Sequence, residues 1–188
     1  MIQIVDYKNS WPDEFLAIGR VFRQGLKSLA LRIDHIGSTS VPGLAAKDII
    51  DIQITVAALN QELSAAMAAV GYTRREDFSS DHRPPLASGP DSDWEKWTFD
   101  PPAGQRATHT HVRIIGRPNQ RYPLLFRDYL RIHQATAEAY AELKRRLAQQ
   151  LSDRLVYSVV KDPAVDLIYL PAEEWALVTG WEPGPSDA

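Results

Sequence analysis

Within the strand expected over Asp48–Val56, apolar and polar residues alternate from Ile50 onward. Ile50, Ile52, Ile54 and Val56 fall on one side, and Asp51, Gln53 and Thr55 on the other. A period of two marks a strand with one face in a core, so the second face carries polar groups at a regular pitch. Leu31–Ile36 predicts a strand just before it, and Val41-Pro42-Gly43 a turn between the two, with one helical turn possible over 44–47. Upstream the period changes. Phe15, Ile18, Phe22, Leu26 and Leu29 recur every three or four residues, which predicts an amphipathic helix to about Leu29. Its start is signalled by Ser10-Trp11-Pro12-Asp13-Glu14, with an early proline and two acids at the positive end of the dipole. Ile2–Asp6 reads as a short strand or an ordered arm.

Downstream, Leu63, Met67 and Val70 place a helix over Asn60–Val70, ended by Gly71. A short strand is expected at Tyr72–Arg75. A long loop rich in Pro, Ser, Asp and Gly follows over Glu76–Asp93. Trp94–Phe99 and Thr108–Ile115 predict an antiparallel pair joined through Pro101-Pro102-Ala103-Gly104. The last third predicts helices at Tyr122–His133, at Thr136–Leu151, and within Pro163–Thr179, the last kinked or divided at Pro171. The order of elements implies an α+β (mixed α/β) fold, a mixed sheet flanked by helices with a helical C-terminal third. We expect one domain over residues 1–181 and a loose tail at 182–188.

Composition narrows the function classes. A net charge of −3 in 188 residues argues against a general nucleic-acid binder but leaves room for a locally positive site. The chain has no cysteine, which removes disulfides and thiol chemistry. The N-terminus lacks the basic and apolar regions of a signal peptide, and no apolar run reaches the ~18–20 residues of a membrane span. The expected location is the cytoplasm.

Candidate chemistry gathers in His35–Val56. Gly37 permits close approach of backbone to a ligand. The hydroxyls and N–H groups of Ser38, Thr39 and Ser40 suit an anion. Lys47 adds a positive charge, and Asp51 on the next strand suits Mg²⁺ bridged to phosphate. The same turn also reads as an ordinary strand-to-loop connection. His109 and His111 share one strand face. They suit a polar network, an acid/base or anion role, or, with Asp51, a transition metal. Arg127 and Arg131 lie one helical turn apart; either suits a phosphate contact at this site or a structural pair, for example with Asp128. Arg74 and Arg75 stand at the edge of the long loop, and Trp94 or Trp97 is a candidate for stacking on a base.

HIGSTSVPGLAAKDIIDIQITV resembles the signature of the GrpB family of bacterial proteins. THTHVRI, LFRDYLRIH, AYAELKRRLA and the pair Tyr157 and Lys161 extend the resemblance from about Tyr7 to Trp175. The family is similar to the nucleotidyltransferase superfamily, and relatives occur fused to dephospho-CoA kinase. The resemblance implies a nucleotidyltransferase-like mixed sheet. It also implies a nucleoside triphosphate as substrate or ligand, Mg²⁺ as cofactor, and transfer of a nucleotidyl group to a small acceptor. Gly37 and Ser38 match the superfamily's turn and Asp51 its first carboxylate. Lys144 and Lys161 are implied as contacts to a triphosphate. The second carboxylate position falls on Gln53, a ligand without charge, and the strand that should carry a third acid offers His109 and His111. Asp48, where the family has proline, faces away from Asp51. Two other readings stay open: a binding module for a nucleotide or a CoA-type ligand with a degenerate metal site, and a metal-dependent enzyme using His109, His111 and Asp51.

Overall fold

The computed structural model describes residues 2–85 and 87–188. After an isolated bridge between Val5 and Ala46, helix α1 spans Trp11–Leu26. The strands are β1 (Arg32–Ile36), β2 (Ile50–Val56), β3 (Thr73–Arg75), β4 (Trp97–Asp100) and β5 (Thr108–Ile114). Helix α2 (Gln61–Ala69) follows β2, and α3 (Pro118–Ile132), α4 (Gln134–Gln150) and α5 (Arg154–Thr179) follow β5. Among the described residues no helix is long and apolar enough to cross a membrane.

The five strands form one mixed sheet in the order β1-β2-β5-β4-β3. Only β2 and β5 run parallel; the other neighbours are antiparallel. Ile33, Ile50, Ile52, Ile54 and Val112 pack beneath Trp11, Phe15, Phe22 and Leu26 of α1 and Leu63 and Met67 of α2. The alternation read from the sequence therefore points this face inward, as hydrophobic burial demands. The other face is polar. Helices α3, α4 and α5 lie on that side, yet they bury Leu125, Tyr129, Leu130, Tyr140, Ile168 and Tyr169 against one another and against Val41, Leu44 and Ala45. The polar sheet face must then find hydrogen bonds of its own.

Several boundaries differ from expectation. The third predicted helix begins at Arg154 and runs 26 residues, with Pro163 and Pro171 inside it. Each proline removes a hydrogen bond to the carbonyl four residues earlier, and burial of Ile168, Tyr169, Ala172 and Ala176 holds the helix on both sides of Pro171. The first of this group starts at Pro118 rather than Tyr122, with proline at its open N-terminal turn. Trp94 ends a short 3-10 turn instead of opening a strand. The tail at 182–188 is docked. Ser186 Oγ accepts from Ile33 N at 2.8 Å, Asp187 Oδ2 accepts from His35 N at 2.9 Å, and Ala188 N donates to Ile33 O at 3.1 Å. β1 is an edge strand with backbone groups left unpaired, and the tail supplies partners for them.

Candidate functional site

Asp51 begins the polar face of β2. Its register partner on the parallel strand is His109, and on β1 it is Ile36. Parallel pairing puts the Asp51 and His109 side chains next to each other, and His109 Nδ1 lies 2.9 Å from Asp51 Oδ1. This bond raises the His109 pKa, more than burial lowers it. The chain then leaves β1 through Gly37, whose φ is +68°. A Cβ built there falls 2.3 Å from Asp51 Oδ2. Gly37 thus lets the backbone pass against the carboxylate, in a conformation that side chains disfavour. Gly37→Ala is expected to cost about 1–3 kcal/mol in denaturant unfolding. Combining it with Asp51→Gly should restore all but the backbone strain. If the two effects simply add, the close approach is not the cause.

The three hydroxyls after Gly37 part company. Thr39 is buried, with Oγ1 2.9 Å from His35 Nε2. Ser40 donates back to the Gly37 carbonyl at 2.6 Å. Only Ser38 turns toward the site, accepting from Lys144 Nζ at 2.8 Å. Of the three hydroxyls expected to cradle an anion, the structure brings Ser38 to the lysine side, while the other two fix the shape of the turn. His35 itself is stacked on Phe15 at 4.8 Å and burial lowers its pKa to about 4, so it serves the core as a neutral ring.

Lysines close the far side. Lys144 on α4 is 3% exposed. It also donates to the Ala45 carbonyl at 2.5 Å and lies over the Tyr140 ring at 4.6 Å. Burial, then the neighbouring Lys161, lower its pKa to about 7. Lys161 on α5 is held above its ordinary value by Tyr140 first, with Tyr157 and Asp51 adding to it. Lys47 sits 4.1 Å over the Tyr157 ring, and its charge together with that of Lys161 reaches His109. One carboxylate, one imidazole, one hydroxyl and three lysines thus share a corner where α4 and α5 meet the start of β2 and β5.

Other expected residues lie elsewhere. Gln53 is fully buried: its Nε2 donates to the Gln120 carbonyl at 2.9 Å and its Oε1 accepts from Arg113 Nη1 at 2.8 Å. A carbonyl facing a guanidinium is poorly placed to hold a cation, and Gln53, expected as a metal ligand, is not brought to Asp51 at the site. His111 shares the face with His109, but burial pushes its pKa well down and its Nδ1 has no hydrogen-bond partner. Among the described residues no group of three His, Cys, Asp or Glu side chains comes together to hold a metal. Arg127 is drawn away from the lysines. It is buried and donates to Asp128, Asp187 and the His35 carbonyl. Arg131 donates to the Ser40 carbonyl. Arg74 stacks on Trp97 at 3.9 Å, Arg75 pairs with Asp77, and Trp94 is core. Asp48 faces the other way, as its alternation implied. Burial raises its pKa, but Lys8, Trp11 and Arg106 hold it at about 2.

Sequence reasoning missed Asp81. From the long loop it reaches beneath the sheet's polar face, accepting from Arg113, Lys96 and Asn119. The neighbouring His82 Nε2 lies 2.9 Å from Asp166 on α5. Arg113 was legible in part, because it continues the spacing of His109 and His111. Nothing in the loop's composition singled out Asp81.

The GrpB protein family model matches residues 1–170. A dephospho-CoA kinase of Mycolicibacterium paratuberculosis is 34% identical over 97% of this chain and 48% of its own length. The chain therefore spans about half the length of that relative. UPF0157 protein BH1888 of Halalkalibacterium halodurans is 36% identical over 79% of this chain and 70% of its own. The crystal structure of conserved protein GrpB from Enterococcus faecalis superposes with a TM-score of 0.74 at 29% identity, covering 92% of this chain and 99% of that one.

Proposed function

The chain belongs to the GrpB family, and from that premise we propose that it binds a nucleoside triphosphate and transfers its nucleotidyl group to a small acceptor. The observation that carries this reading is the gathering of Lys47, Lys144 and Lys161 around Ser38, Asp51 and His109. A partly buried corner with that charge balance attracts an anion, and low-dielectric surroundings strengthen each contact. Ser38 Oγ and Lys144 Nζ would take phosphate oxygens, with Lys161 and Lys47 alongside.

The donor set fits Mg²⁺ poorly. Mg²⁺ wants several hard oxygen ligands. Here Asp51 Oδ1 is bonded to His109, Oδ2 lies against the Gly37 backbone, and Gln53 is turned to Arg113. The phosphate contacts proposed for this protein therefore come from its own side chains. The same Gln53 observation favours a second reading, a non-catalytic module for a nucleotide or a CoA-type ligand, the class of molecule in the name of the dephospho-CoA kinase relatives. The two share the phosphate contacts and differ in turnover.

Thermal unfolding with each nucleoside triphosphate, in Mg²⁺ and in EDTA, tests the reading. A ligand at a hundredfold excess over Kd adds about 2.7 kcal/mol, about 5–10 °C in Tm for a chain of this size. The shift is expected in EDTA as well, and Ser38→Ala and Lys161→Met should each reduce it. No shift with any nucleotide would sink the reading, and a shift that needs Mg²⁺ would sink the metal-independent form of it.

A further inference from the structure

We propose that His109 is the nucleophile of this site and carries the nucleotidyl group covalently. The inference rests on the nucleotide reading above. His109 Nε2 attacks the α-phosphorus of the bound triphosphate, forming an N–P bond. The P–O bond to the diphosphate breaks, and the diphosphate leaves with the electron pair. In the second half an acceptor hydroxyl oxygen forms a bond to the same phosphorus. The N–P bond breaks, its electron pair returns to Nε2, and the acceptor's proton passes to water.

The geometry supports each part of this. Asp51 Oδ1, 2.9 Å from Nδ1, fixes the tautomer that keeps hydrogen on Nδ1 and leaves the lone pair on Nε2. A hydrogen bond at one imidazole nitrogen sets which nitrogen is free to react. The same carboxylate stabilises the positive ring that forms as the N–P bond is made. The pair cannot drift, because Asp51 and His109 are register partners on hydrogen-bonded parallel strands and Gly37 backs the carboxylate. The ring is accessible: the His109 side chain is 52% exposed, twice the 26% of Asp51. His111, two residues on, is half-buried, and its Nδ1 has no hydrogen-bond partner, so it lacks the carboxylate that orients His109. Lys144 and Lys161 supply the positive charge that metals would otherwise bring to the phosphate oxygens. A site with one carboxylate already bonded to histidine is ill suited to two-metal transfer and well suited to a covalent relay.

The sign of the pH effect follows. Asp51 raises the His109 pKa, and a protonated Nε2 has no lone pair to give. Adduct formation should therefore increase with pH, along a limb that lies above the ordinary histidine value near 6.5. Asp51 is a positioning residue, so Asp51→Asn should slow adduct formation about tenfold or more. It should also move the rising limb to lower pH, which a merely structural role would not do.

The test incubates the full chain with α-³²P- and γ-³²P-labelled nucleoside triphosphates, with Mg²⁺ and with EDTA, and quenches in alkaline denaturant. A phosphohistidine bond survives alkali and breaks in acid. The expected result is acid-labile label from the α position only, mapped to His109 by mass spectrometry and absent in His109→Gln that remains folded by circular dichroism. Label retained in His109→Gln overturns the inference. So does wild-type protein that shows a nucleotide-dependent Tm shift yet takes no label, and in that case the binding reading stands. Absence of any nucleotide-dependent shift overturns both.

Discussion

Asp81→Ala is expected to destabilise the protein by about 3–5 kcal/mol, the cost of leaving buried charge without its partner. Asp81 accepts from Arg113 Nε at 2.7 Å and Nη2 at 2.8 Å, from Lys96 Nζ at 2.7 Å and from Asn119 Nδ2 at 3.1 Å. The side chains of Arg113 and Lys96 are only 6% and 12% exposed, so water cannot replace the lost carboxylate. Burial would raise the Asp81 pKa, but the Arg113 guanidinium, chief among its neighbours, holds it far below the ordinary range. At Lys96 burial outweighs even this partner and keeps the ammonium below its usual value. Because the folded pKa of Asp81 is depressed, its stabilisation is complete above the unfolded value near 4 and is lost as pH falls below it. Urea unfolding at neutral and acid pH measures both effects. Asp81→Leu combined with Arg113→Met should recover much of the loss, because neutral packing replaces a charge that would otherwise stand alone. A single-variant loss under about 1 kcal/mol would mean the network is solvated.

The second large effect concerns Lys144. In the free site burial lowers its pKa to about 7, so above neutral pH it is mostly uncharged. A bound phosphate favours the ammonium form. Binding above pH 7 must then take up a proton, and affinity should fall by up to about tenfold per pH unit until the bound-state pKa is reached. Calorimetric titration with inorganic triphosphate over about pH 7.5–9.5, in buffers of different ionisation enthalpy, reads both the slope and the proton uptake. Lys144→Met should bind weakly with little slope over this range. Without ligand it should be no less stable than the natural chain, since an ammonium group held in a buried place opposes folding. An affinity independent of pH in the natural chain would remove Lys144 from the binding site. With His109 as nucleophile, the rate of adduct formation should be bell-shaped, rising as His109 loses its proton and falling as Lys144 does.

Both effects depend on burial that no local pattern announces. Asp81 sits in a loop of ordinary turn composition, 32 residues from the arginine it pairs with. Lys144 belongs to a run, Lys144-Arg145-Arg146, that reads as a solvated helix face. The structure turns Lys144 inward and leaves Arg145 and Arg146 outside, paired with Asp6 and Glu142. Arg127 shows the converse. Its position on the helix made it a candidate phosphate contact, and the fold uses it to join β1 to the docked tail.

The sequence by itself determined the period of two that puts Ile50, Ile52 and Ile54 in the core and Asp51 on the far face. It also determined the glycine turn beside that face and the shared side of His109 and His111. These are consequences of backbone geometry within a few residues. Only the tertiary structure decided which part of the polar face stays open. Asp51 and His109 lie at the accessible end, while Gln53 and Arg113, two and four residues along their strands, are sealed under α3 and Asp81. Alternation fixes the side of a sheet on which a side chain lies. Its depth there is set by where distant helices and loops come to rest, and that is a matter of long-range packing.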